Sequence, residues 1–190
     1  MIVDHDNKFI FVCIAKCAST SISRRFGYHI DPPPHKYHMF LKDIVYKHPV
    51  AKEYFKFAFV RNPYDRVYST YINLKYDGHD WATELKKKRN FREFILDLKN
   101  SEYSQYIHLR PQSEYIKIND DIGVDFVGRF ESLQADFAKI EGIIGIENKP
   151  LKKERWSSRR PDDPRFFDHE MKQIIINFYK EDFERFKYEK

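Results

Sequence analysis

Residues 8–28 read KFIFVCIAKCASTSISRRFGY, and three textures follow one another within them. Residues 8–14 are an unbroken apolar run rich in β-branched and aromatic side chains, the mark of a strand buried on both faces. Small and polar residues come next, and SISRRFGY then opens a helix. FKFAFV, residues 55–60, repeats the buried-strand texture and ends at Arg61. It runs into NPYDRVYSTYINLKY, where Asn62 is a candidate N-cap and Pro63 fills the first helical turn. Two strand-to-helix units predict an α/β domain with a central, mostly parallel sheet flanked by helices. Ligands of such sheets gather beyond the carboxyl ends of the strands, which is where Lys16 and Arg61 are expected.

Working outward, the turn residues of DPPPHKYH precede a helical spacing over residues 39–54, which Pro49 divides into two short helices. Residues 77–90 are polar, and their KKKR run at 86–89 reads as a solvated face; FREFILDLKN at 91–100 resumes an amphipathic helix. Residues 115–118 and 124–127 read as short strands separated by NDD and Gly123. ESLQADFAKIEGIIGI at 131–146 reads as a helix with a glycine stop. Residues 148–164 lack periodicity, and HEMKQIIINFYKEDFERFKY at 169–188 closes the chain as a helix. Neither a repeat nor a linker is visible, so residues 1–190 are expected to form one domain.

Composition sets bounds without choosing a function. Of 190 residues 42% are hydrophobic and 17% aromatic, enough for a sizeable core. Thirty-four Lys and Arg against 29 Asp and Glu give a net charge of +5, a balance that suits an anionic ligand and equally an ordinary basic protein. Cys13 and Cys17 are too few and too close to staple the fold, and no His/Cys spacing resembles a zinc site, so no metal and a reducing compartment are expected. The amino terminus lacks a signal-peptide pattern, and no stretch reaches the ~20 apolar residues of a membrane span. A cytoplasmic location is the expectation, with the Golgi lumen the alternative should an anchor precede this stretch.

AKCASTSI, residues 15–22, has the logic of a phosphate loop. Ala18 and Ser19 are small enough for backbone N–H groups to approach an anion, Thr20 and Ser21 bring hydroxyl donors, and Lys16 adds a full charge. The fold expectation is therefore a P-loop-like three-layer α/β arrangement. The G-x-x-x-x-G-K-[ST] pattern of NTPases is absent. By itself the segment also fits a capped helix beside a surface lysine. RNPYDRVYS, residues 61–69, offers a second anion site through Arg61 and Ser69, although an ion pair between Arg61 and Asp65 would account for the arginine as well.

Taken together, KCASTS after one strand and FVRNPYDRVYSTY after another resemble the 5′-phosphosulfate and 3′-phosphate motifs of the sulfotransferases. The nearest likeness is to the carbohydrate group that includes heparan sulfate 2-O-sulfotransferase. VGRFESLQADF (127–137) and YKEDFERFKY (179–188) resemble further segments of that group, so the likeness extends from Phe9 to Tyr188, and the spacing of Arg61 from Ser69 matches. Ser19 stands where many members have glycine, as does Lys187, and the chain is shorter than Golgi members. The resemblance implies a donor, 3′-phosphoadenosine 5′-phosphosulfate (PAPS), leaving as PAP, and a hydroxylated acceptor, a carbohydrate first among the candidates. It implies donor contacts from Lys16, Cys17, Ala18, Ser19, Thr20, Ser21, Arg61 and Ser69, and from Ser158 and Arg159 in a late loop, RWSSRR, where Trp156 would stack on a base or sugar.

Sulfuryl transfer asks for an aligned acceptor oxygen, charge stabilisation on the leaving phosphate oxygen and a base for the hydroxyl proton, with no metal. Lys16 is expected to meet the leaving oxygen. An imidazole, with an ordinary pKa of ~6.5, suits the base, and His38 matches the position at the start of a helix where the family carries a histidine. His35 is the runner-up, and His108 in IHLRPQ is a weaker candidate for the acceptor site. Two other readings stay open at this level: a P-loop-type nucleotide kinase or NTPase, disfavoured by the absent Lys-Ser/Thr pair, and a non-catalytic basic module binding nucleic acid or anionic glycan. Nucleic acid and membrane are not expected partners.

Overall fold

A computed structural model of the chain describes residues 1–28, 38–76, 90–98, 106–152 and 165–190. It divides into two compact units, Met1–Arg61 with Gln112–Trp156, and Asn62–Pro111 with Ser157–Lys190. The charge run at 86–89 lies outside the described residues.

The first unit is built on four strands, β1 (Ile2–Asp4), β2 (Phe9–Val12), β3 (Phe55–Val60) and β6 (Phe126–Arg129), in the order β1-β2-β3-β6. β2, β3 and β6 run parallel, and only the edge strand β1 is antiparallel. Alternation puts Phe9, Phe11, Phe57 and Phe59 on one face of the sheet. All four are fully buried, and Phe11 stacks on Phe57 with centroids 5.0 Å apart. Burial of each such ring contributes about 1.5–3 kcal/mol. Helix α1 (Ser19–Arg25) is followed by Phe26, which packs on Phe9, and helix α6 (Leu133–Ile144) brings Phe137 against Phe26 and Phe59. Gly128 faces Phe59 across the β3–β6 pair, where a Cβ would stand 2.5 Å from the ring. The parallel sheet flanked by helices expected from the sequence is the observed one.

Several local expectations are met. Helix α2 (Leu41–Lys47) stops at His48 before Pro49, and residues Pro49–Glu53 form a separate 3-10 turn. α6 ends on Gly145, whose φ of 74° is the left-handed conformation glycine adopts without penalty. Others are corrected. Residues 115–116 do not begin a strand: helix α5 (Gln112–Ile116) runs through them, and only the short hairpin β4 (Lys117–Ile118) and β5 (Asp121–Ile122) follows. Asn119 and Asp120, at φ 50° and 68°, make its turn. Short apolar runs fit strand and helix alike, and burial of Tyr115 and Ile116 in the core overrides their strand preference. The sheet strand begins at Phe126 rather than Val124, because the Asp125 carboxylate accepts the Lys56 N–H at 2.7 Å where a ladder bond would lie. β1 was not foreseen; three residues carry too little periodicity.

The second unit is helical among the described residues: α3 (Pro63–Tyr76), α4 (Phe91–Asp97), α7 (His169–Phe178) and α8 (Lys180–Arg185). The final segment is two helices rather than one, broken at Tyr179, which is buried. Val67, Tyr71, Phe91, Phe94, Ile175 and Phe183 form its core. Asn90 caps α4 by accepting the Glu93 N–H at 2.9 Å, and Asp168 caps α7 by accepting that of Met171 at 2.8 Å.

Candidate functional site

The loop joining β2 to α1 holds residues 13–18. Lys16 and Ala18 both take left-handed backbone, at φ 66° and 63°, on either side of Cys17. Non-glycine residues pay about 1–2 kcal/mol each for that conformation, and the Cys17 N–H between them turns back to the Ile14 carbonyl at 3.4 Å, curling the loop on itself. Sequence reasoning relied on small side chains; the structure shows that backbone handedness shapes the loop. The Ser19 hydroxyl donates to the Ile14 carbonyl at 2.7 Å and closes the loop on itself. Lys16, Ala18 and Thr20 are half-buried, whereas Cys17, Ser19 and Ser21 are buried.

Arg61 leaves β3 beside this loop, since β2 and β3 are parallel neighbours paired through Val12 and Ala58. Its guanidinium donates through Nη1 to the Lys16 carbonyl at 3.4 Å and lies 4.2 Å from the Phe130 ring centroid. Two motifs 45 residues apart are thus brought into contact within one unit. Asp65, weighed earlier as a partner for Arg61, is ion-paired with Arg165.

Gln112, at the start of α5, is fully buried. Its Oε1 accepts the Arg61 backbone N–H at 2.8 Å, and its Nε2 donates to the Arg61 carbonyl at 2.8 Å. The same Oε1 accepts the Cys17 thiol at 3.2 Å. Sequence reading passed over Gln112, because nothing local marks a glutamine whose partners lie 51 and 95 residues away.

His38 precedes α2 by three residues instead of opening it, so its environment is set by another contact. Its Nδ1 lies 2.7 Å from the Cys13 carbonyl oxygen. A carbonyl only accepts, so Nδ1 carries a proton, and in the neutral form of the ring the lone pair lies on Nε2. That bond ties the imidazole to the chain one residue beyond β2 and three before Lys16.

In the second unit, Ser69 sits half-buried on α3. His108 is buried at 5% exposure, and its carbonyl accepts the Thr70 hydroxyl at 3.1 Å and Arg66 Nη2 at 3.3 Å. Arg66 also donates to the Arg110 carbonyl at 2.8 Å and lies 5.7 Å from the Tyr179 ring centroid. This fully buried arginine was not singled out from sequence, although its i,i+4 spacing to Thr70 is a helical-face signal. His35, Trp156, Ser158 and Arg159 lie outside the described residues. No group of three or more His, Cys, Asp or Glu suited to a metal occurs among the described residues, and no helix among them is long and apolar enough to cross a membrane.

A parallel sheet with a curled, lysine-bearing loop after one strand and an arginine after its neighbour defines an α/β protein whose two motifs meet beyond the strand ends, where ligands of such sheets gather. The sulfotransferase family matches residues 1–189, and the chain belongs to that family, whose chemistry is sulfuryl transfer. No match was found among curated proteins or among solved structures.

Proposed function

We propose that the protein transfers the sulfuryl group of PAPS to a hydroxyl, a carbohydrate hydroxyl first among the candidates, with His38 as base. The observation that carries this reading is the contact of the Arg61 guanidinium with the Lys16 carbonyl, which joins the two strand-end motifs. The curled loop of residues 15–21 holds the 5′-phosphosulfate, and Arg61 holds the 3′-phosphate. Ser69, Ser158 and Arg159 are assigned to the donor, and His35 to the acceptor side, on the family resemblance alone; His108 is assigned to the acceptor side by its residue type. The acceptor oxygen attacks sulfur as the sulfur–oxygen bond to the 5′-phosphate breaks. The hydroxyl proton passes to His38 Nε2, and the Lys16 ammonium meets the charge that grows on the leaving phosphate oxygen. The cytoplasm is the proposed location, and residues 1–190 are proposed to act as one domain.

Calorimetric titration with adenosine 3′,5′-bisphosphate, beside ATP with Mg²⁺, tests the donor. Binding of the bisphosphate at least tenfold tighter is expected. Incubation with PAPS and an array of hydroxylated acceptors, followed by mass spectrometry, then identifies the product that gains a sulfate. Equal affinity for the two nucleotides, with no acceptor sulfated, would remove the proposal.

A further inference from the structure

We infer that Gln112 is a positioning residue for the anion site, acting through Arg61 and Cys17 without touching the ligand. The inference rests on the donor reading just given and adds a residue to it. β3 ends at Val60, and a residue beyond a strand end ordinarily loses its ladder partners. At Arg61 the Gln112 carboxamide supplies them, accepting the N–H and donating to the carbonyl at 2.8 Å each. A side-chain amide has the donor and acceptor of a peptide group, so it extends the sheet by one residue. The arginine backbone is held in register just where its side chain must reach out.

The second lone pair of Oε1 serves the loop by taking the Cys17 thiol at 3.2 Å. Cys17 stands between the two left-handed residues, so this bond fixes the strained stretch at its middle. One buried amide therefore sets the spacing between the curled loop and the arginine. Neither a methionine nor a carboxylate reproduces the set: Gln112→Met lacks both polar ends, and Gln112→Glu keeps the acceptors but sets an oxygen against the Arg61 carbonyl. A buried polar partner left unmet is costly, so the Arg61 backbone groups will shift to find others, and the Cys17 thiol will turn wholly to the Ala15 carbonyl, now 3.5 Å away.

Two readouts test this. In calorimetry with adenosine 3′,5′-bisphosphate, Gln112→Met is expected to weaken binding about tenfold or more, and Gln112→Met combined with Arg61→Ala to lose less than the product of the two single losses. Losses that multiply in the double variant, or wild-type affinity in Gln112→Met, would overturn the inference. The second readout needs no nucleotide: iodoacetamide labelling followed by peptide mass spectrometry. Cys17 is expected to react about tenfold faster in Gln112→Met, which removes its acceptor, while Cys13, buried one residue beyond β2, keeps its wild-type rate and reports that the fold is intact. Unchanged Cys17 labelling in Gln112→Met, or equal acceleration of both cysteines, assigns Gln112 to general stability and sinks the idea. Should wild-type protein ignore the bisphosphate, the donor reading falls, and the labelling still decides whether Gln112 holds the loop.

Discussion

Lys16, His38 and Arg61 are held by different means, and their substitutions should differ accordingly. The Lys16 charge and the His38 lone pair matter most as the transition state forms, so Lys16→Ala and His38→Ala should each lower turnover about 10²-fold or more. Arg61 holds a phosphate equally in ground and transition states, so Arg61→Ala should mainly raise the donor KM. Steady-state kinetics with varied donor separates the two behaviours, and near-normal turnover in the first two variants would dismantle the mechanism. Backbone handedness explains the family's glycines unevenly. Lys187, where glycine is usual, has φ 54° and bears the strain that glycine would avoid, whereas Ser19 is not left-handed and uses its hydroxyl to close the loop.

Among the elements, the β3–β6 pair leaves the least room for change. Gly128 lies opposite Phe59, and an added Cβ would meet three ring carbons at 2.5, 2.7 and 2.8 Å. The ring is buried and packed by Phe137, so it cannot swing aside without disturbing α6. Gly128→Ala should therefore destabilise the protein by about 1–3 kcal/mol, read as a lower urea midpoint with an unchanged slope. An unshifted midpoint would mean that the ring has another place to go. At the end of β6, Asp136 of α6 accepts the Arg129 N–H at 3.0 Å and the Ser132 hydroxyl at 2.6 Å, fastening the turn from strand to helix.

Across the whole molecule, acid should act through carboxylates that the fold keeps ionised. Burial pushes Asp136 upward, but hydrogen bonds from Lys139, Ser132 and the Arg129 N–H outweigh it and leave the group below the usual carboxylate range. Asp168 is lowered by the Met171 N–H and by Arg92, and Glu147 by Lys149. A carboxyl whose folded pKa lies below its unfolded value stabilises the protein above the unfolded value, and that stabilisation is lost as pH falls through the folded one. Melting temperature should thus decline as pH drops below the ordinary carboxylate range of ~4, and less steeply in Asp136→Asn. A flat profile in wild type would contradict the argument.

Local sequence determined the strands at 9–12 and 55–60, the stops at Pro49 and Gly145, and the two motifs that follow the strands, because burial patterns, proline and glycine act over a few residues. Lys16 and Arg61 were legible as candidates by residue type and position, and His38 through the family resemblance. What only tertiary structure decided is how they are held: the left-handed turns at Lys16 and Ala18, the Cys13 carbonyl that orients His38, and the Gln112 amide between Arg61 and Cys17. Residues 115–116 went to helix for the same reason. The His38 and Gln112 contacts depend on groups 25 to 95 residues apart meeting, and no local pattern encodes which distant partner satisfies such a polar group.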